Sequence, residues 1–204
     1  MTADPFLQAA DARGLTLDPV LRAFHGGTGQ SATGQGGTGP RVWEGTCAIR
    51  RGSGPLIGLL LKLGGFPDAD ENVPIRLSMF RGRDGVTWRR EFGRHVTESV
   101  LTYDADRSAV DESFGPFSVR MVPDIRRGAL HLEIAGLRVW GVPLPRLLWP
   151  KSATREVARP DGGVEFDVSA TLPFLGPMIR YRGVLHRAGG ARTSHRAGPE
   201  VRYT

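Results

Sequence analysis

At 204 residues, with 40% hydrophobic and 24% charged side chains, the chain has the make-up of one globular domain able to bury a sizeable core. Its 28 glycines and 15 prolines favour turns over long helices, and the single Cys47 excludes a disulfide framework or a cysteine metal cluster. The formal net charge is +6, but Arg187, Arg192, Arg196 and Arg202 against Glu200 put half of it at the C-terminal end, and no basic stripe interleaved with aromatics is present, so nucleic acid is not an expected partner.

Residues 5–24 carry apolar positions at helical spacing, divided by Gly14 and Pro19 into two short helices. The start lacks a basic stretch followed by an apolar one, so no secretory signal is expected. With the lone cysteine this makes a cytoplasmic location the simpler expectation. HGGTGQSATGQGGTGP (25–40) is glycine-rich, yet no β-branched strand precedes it, no helix follows, and no Lys-Ser or Lys-Thr closes it. It therefore reads as a linker rather than a phosphate cradle. RVWEGTCAIR (41–50) alternates as a strand. In GSGPLIGLLLKLGGFP (52–67), Ser53 is a candidate cap, Pro55 suits a first turn, and Gly64-Gly65 with Pro67 form a stop, predicting one helix near 54–64. Its apolar character nearly all round predicts that it is covered. The run PLIGLLL closes at Lys62, too short for the roughly 20 residues of a membrane span.

From Val73 onward the pattern is strands and turns. VPIRLSMF, VTWRREF, HVTESVLTY, SAVDES and FSVRMV follow one another across short polar turns, then ALHLEI, GLRVWGV, TREVA, VEFDVSATL and MIRYRGVLH. In VEFDVSATL, Val164, Phe166 and Val168 are expected inside while Glu165 and Asp167 face water. The fold class is α+β, mostly antiparallel β: a sheet of about 9–10 strands that must curl into a barrel or half-barrel to protect its edges. The expected organisation is an N-terminal helical segment (1–25), the Gly-rich linker (26–40), an antiparallel β-barrel-like domain (41–187) and a disordered basic tail (188–204).

GVPLPRLLWP (141–150) breaks the strand pattern. Pro143 and Pro145 lack donors and fix φ, so the segment leaves the ladder. Leu144, Leu147, Leu148 and Trp149 are each worth about 1.5 to 3 kcal/mol on full burial. Such a segment plugs a barrel end, lines a cavity, or meets a partner. In WRREF, alternation puts Trp88, Arg90 and Phe92 on one face and Arg89 and Glu91 on the other, so one arginine points inward and needs a partner. Arg155-Glu156 and Tyr181-Arg182 repeat this chemistry, either as surface ion pairs or as an anion-recognising cluster at a barrel mouth. His25, His95, His131, His186 and His195 show no metal-ligand spacing, and neither metal nor cofactor is expected. No G-x-S-x-G turn is present, and the pairs Asp111-Glu112 and Glu165/Asp167 read as solvent-facing.

The blocks WRREF, GVPLPRLLWP, REV followed by DGGVEFDV, and PFLGPMIRYRGVL together resemble an uncharacterised bacterial family, domain of unknown function 4166, from about His25 to Leu185. Members are often fused behind saccharopine-dehydrogenase-like or other nucleotide-binding domains, so the resemblance implies a possible oxidoreductase partner. It supports the fold unit and imports no catalytic residue.

The reading favours binding over catalysis: a non-enzymatic barrel with an apolar cavity for a lipid-like molecule or amphipathic anion. The ligand-binding candidates are Trp88, Arg89, Phe92, Leu144, Leu147, Trp149, Arg155, Glu156, Tyr181 and Arg182. An accessory domain docking on a nucleotide-binding oxidoreductase is the alternative, and an enzyme of unassigned chemistry the third reading. Deleting residues 188–204 is expected to shift the melting temperature by less than about 5 °C, the equivalent of roughly 1 to 2 kcal/mol, in a thermal scan; a larger drop shows that the tail docks.

Overall fold

The computed structural model of the chain describes residues 4–26, 39–83 and 85–189; the expectations for the linker 26–40 and the tail 188–204 fall mainly outside the described residues. Two short helices open the fold, as the Gly14 and Pro19 breaks predict. Asp4 caps α1 (Pro5–Ala12), its Oδ1 accepting the Phe6 N–H at 3.0 Å. Asp18 accepts the Val20 N–H at 2.8 Å at the head of α2 (Pro19–Gly26). After β1 (Arg41–Arg51) comes α3 (Pro55–Leu63), whose N-cap is Gly54 at φ +116° with no side-chain cap, rather than Ser53.

Six strands then meander: β2 (Asp70–Arg81), β3 (Val86–Phe92), β4 (His95–Asp104), β5 (Ala109–Phe114), β6 (Phe117–Arg126) and β7 (Ala129–Val139). ALHLEI and GLRVWGV belong largely to one strand, β7, bent where the β6 register shifts between Arg120 and Met121 near Gly136. Two-residue strands β8 (Val142–Pro143) and β9 (Lys151–Ser152) flank a 3₁₀ turn at Arg146–Leu148. β10 (Thr154–Ala158), β11 (Val164–Leu172) and β12 (Gly176–Arg187) complete the chain, with β12 pairing β1.

Every pairing is antiparallel, and β10 hydrogen-bonds to β7 on one side and β11 on the other. The sheet is thus a closed ten-stranded barrel with β8 and β9 as additions. Closure abolishes the edges that a half-barrel would leave. β1 and β12 approach so closely that a Cβ at Gly183 would lie 2.3 Å from the Thr46 carbonyl oxygen, which is the physical reason for glycine in the RYRG block.

α1 and α2 close one end, where Phe6, Leu21 and Phe24 join Trp43, Met79, Trp88, Leu101 and Leu130 in the main core. α3 lies at the other end, on a smaller cluster of Ile57, Leu61 and Ile179. It is not covered all round: Leu56, Leu59 and Leu63 are 48%, 52% and 39% exposed. On β11, Val164 and Phe166 are buried and Val168 packs against the core, while Glu165 and Asp167 face ion-pair partners on the outer wall. Phe166→Ala is expected to cost about 3 kcal/mol or somewhat more in urea unfolding, and Glu165→Ala less than about 0.5 kcal/mol; the reverse order would mean the faces are misassigned.

Candidate functional site

The helical end carries buried polar chemistry. α2 delivers His25 into the core at 0% exposure, against Phe6 and edge-on to Phe24 at centroid distances of 4.9 and 4.8 Å, and stacked 6.0 Å from Trp88. Its Nε2 lies 2.6 Å from Glu156 Oε2 on β10, so the strand that closes the barrel also grips the helical plug. Beside it, Arg41 donates to Asp4 Oδ2 at 2.8 Å and to the Phe24 carbonyl at 3.1 Å. Burial alone would lower the His25 pKa, but the Glu156 carboxylate outweighs it and the net shift is upward. His25 Nδ1, Arg41 Nε and Trp88 Nε1 are buried without a hydrogen-bond partner among the described residues.

Above this floor the barrel encloses a cavity of about 430 Å³, lined mostly by apolar side chains such as Trp88, Phe92, Leu132, Met121, Phe166 and Val168. One wall differs. On β3 and β4 the inward positions include Arg90 and its register partner Thr97, with Ser99 one step deeper. Arg90 Nη1 donates to Ser99 Oγ and Nη2 to Glu112 Oε1, both at 2.8 Å, and the guanidinium lies 4.9 Å from the Trp88 ring centroid. Glu112 is therefore not solvent-facing: its side chain is 15% exposed, and β5 directs it inward against Arg90. Tyr181 stacks on Phe92 at 5.4 Å and Phe66 at 6.4 Å, and burial raises its hydroxyl pKa far above the usual value. Burial also pushes the Cys47 thiol up to about 11, which removes it as a nucleophile at neutral pH. Among the described residues no group of three or more His, Cys, Asp or Glu is placed to hold a metal ion.

The proline segment explains the other end. β10 joins β7 only at Leu130–Leu132 and β11 only at Val164–Asp167. Farther toward α3, β8 takes the β7 edge at Arg138–Val139 and β9 takes the β11 edge at Ala170–Thr171. GVPLPRLLWP bridges this seam. Trp149 Nε1 ties it to the Leu144 carbonyl at 2.8 Å, and Leu144, Leu148 and Pro150 line the cavity.

Of the ten residues singled out from the sequence, Trp88, Phe92, Leu144, Glu156 and Tyr181 line the cavity together. The others do not. Arg89 is outside, paired with Glu91 and Glu98; Arg182 is outside, 3.7 Å from Glu165; Arg155 is exposed on β10. Leu147 is 69% exposed, and Trp149 borders an outer groove with Asp111 and Arg120. The inward arginine is Arg90, a position that the W-x-R-x-F alternation offered. Its partner Glu112 lies two strands away, and the floor residues Phe6, Phe24 and His25 come from helices whose docking carries no local sequence signal.

The raised His25 pKa has a definite linkage sign. Stability from the protonated His25–Glu156 pair is fully present below the ordinary histidine pKa of 6.5 and is lost as pH rises through the folded value. In Glu156→Gln, burial acts without the opposing carboxylate and the sign reverses. Urea unfolding across neutral pH is expected to show the wild-type stability falling with pH relative to that variant. Parallel curves would mean that the pair does not titrate as drawn.

No curated protein matches the chain. Among solved structures, the chain is similar to the crystal structure of Rv2717c from M. tuberculosis at 13% identity and a TM-score of 0.37, over 84% of this chain and 99% of that one. The family described as "Domain of unknown function (DUF4166)" matches residues 17–185, from α2 through nearly the whole of the barrel. With the proline segment, the Arg90 wall and the RYRG strand all inside that match, the chain belongs to the DUF4166 family.

Proposed function

We propose that the protein is a non-enzymatic carrier or receptor for a lipid-like amphipath, held in the barrel with its chain against the apolar wall and its polar end at Arg90. The observation that carries this reading is the cavity of about 430 Å³, lined mostly by apolar side chains, with Arg90, Thr97 and Glu112 grouped on one wall among its few polar residues. The volume lies within the range of about 300 to 1,000 Å³ usual for small-molecule sites, and a few convergent polar groups in an apolar pocket are what fixes a ligand's orientation. Arg90 is held by Ser99, Glu112 and the Trp88 ring, so its fork is preorganised. A ligand carboxylate gains from the guanidinium and is opposed by Glu112, whereas a hydroxyl meets a neutral pair.

Titration with a fluorescent fatty-acid probe tests this. Leu132→Trp, which fills the chamber, is expected to weaken binding by about tenfold or more, equivalent to about 1.4 kcal/mol. Arg90→Lys is expected to weaken it because lysine cannot present two fixed donors, while Glu112→Gln is expected to strengthen binding of the acid more than that of the matching fatty alcohol. Arg182→Lys, on the outer wall, serves as the control. Failure of the wild type to bind, or equal binding by all variants, would overturn the proposal.

A further inference from the structure

Around the end of the barrel opposite the helical plug, apolar side chains crowd outward. Nine of the twelve exposed large hydrophobic residues among those described belong to α3 and to the connections that surround the chamber's entrance. On α3, Leu56, Leu59 and Leu63 form one stripe at spacings of three and four, distinct from the buried Ile57 and Leu61, with the cavity-lining Leu60 between the two faces. The helix end abuts the β5–β6 turn, where a Cβ at Gly115 would lie 2.6 Å from the Leu63 carbonyl oxygen. That turn in turn accepts the Trp140 N–H at Pro116 O, 2.8 Å away, and Trp140 is 73% exposed. Leu148 and Leu175, 47% and 43% exposed, also line the chamber, so apolar surface continues from the interior onto the rim. Phe174 is 85% exposed beside them. A patch of this kind on a folded protein marks an interaction site.

The charges select what covers it. Lys62, Arg94, Arg146 and Lys151 stand exposed on this end, and none has an ion-pair partner among the described residues. The nearby acids are engaged: Asp68 with Arg51, Glu71 with Arg50, and the Asp70 carboxylate with the Asn72 N–H. We infer that this crown docks on an anionic lipid surface, with the α3 stripe, Leu147, Trp140 and Phe174 entering the interfacial layer and the unpaired cations meeting headgroups. An apolar helical stripe beside lysine and an exposed tryptophan at the boundary have the chemistry of an interfacial element, and free cations near a membrane add about a fivefold gain each. The inference goes beyond the cavity proposal and does not depend on what the chamber holds.

Co-sedimentation of the full chain with phosphatidylcholine vesicles, with and without phosphatidylglycerol, tests it. Binding is expected to the anionic vesicles, to weaken in high salt, and to be accompanied by a blue shift in tryptophan emission that Trp140→Phe removes. Lys62→Gln with Lys151→Gln is expected to lower the apparent affinity at least about fivefold. Leu59→Asp with Leu147→Asp is expected to abolish binding while changing the melting temperature little, since both leucines are already more than half exposed. Leu132→Trp, with its chamber filled, is expected to bind vesicles as the wild type does, which separates this result from the probe titration. Three results would each overturn the inference: no binding to anionic vesicles, binding indifferent to both double substitutions, or a leucine-dependent dimer or protein complex formed in place of vesicle binding.

Discussion

Closing the sheet through β10, whose residues Arg155 and Glu156 pair with both β7 and β11, fixes the barrel at ten strands, and that number decides what the interior can be. Barrels of about eight strands are just wide enough for their own side chains to fill. Two more strands widen the lumen, and the space must be stopped at an end, occupied, or left open. This chain stops one end with α1 and α2, packing Phe6 and Phe24 beneath Trp88. The middle and the far end remain open as the apolar chamber.

The plug is held by more than apolar contact. Asp4 with Arg41 and His25 with Glu156 are two buried polar pairs, each joining a helical residue to a barrel strand. Burying such pairs gains little net energy, because desolvation offsets the attraction. Removing one partner is costly, at about 3 to 5 kcal/mol, because the other is left uncompensated. Their effect is on geometry: only one seating of the helices satisfies both, whereas the leucines and phenylalanines around them would tolerate several. That seating sets the depth of the chamber floor, since Phe6, Phe24 and Glu156 all line it.

Much of this was legible where a side chain's neighbours are local. The alternation of VEFDVSATL predicts its buried face, and that of WRREF requires one inward arginine without deciding between Arg89 and Arg90. Legibility failed where the deciding neighbour is remote. Glu112 read as solvent-facing because a carboxylate beside Asp111 on a short strand has no local reason to be elsewhere; Arg90, across an intervening strand, supplies the reason. Arg89, Arg155 and Arg182 carry the same chemistry as Arg90 but sit at the alternate positions, where strand parity turns them outward. The all-round apolar pattern of α3 spoke for complete burial because sequence periodicity cannot distinguish a helix covered by its own domain from one with a face left over. Closure itself, rather than a half-barrel, depended on β10 finding β7 from more than twenty residues away.

The proline segment is best understood as the consequence of a seam that closes only partway. Near the plug, β10 completes the ladder between β7 and β11. Toward α3 the two strands are held by β8 and β9, two residues each, and no full-length strand lies between them. An ordinary strand in the position of GVPLPRLLWP could extend the ladder and zip the barrel shut to its rim. Pro143 and Pro145 prevent this, because each removes a donor the ladder would need. The intervening backbone is met by single bonds instead, Leu144 N–H to the Leu137 carbonyl and Ala153 N–H to the Ser169 carbonyl. The side chains divide accordingly: Leu144 and Leu148 turn to the chamber, while Leu147 points to solvent. One segment thus wets neither the core nor the surface fully. It joins the apolar interior to the apolar rim at the place where β7 and β11 are bordered by two-residue strands instead of a shared full-length one.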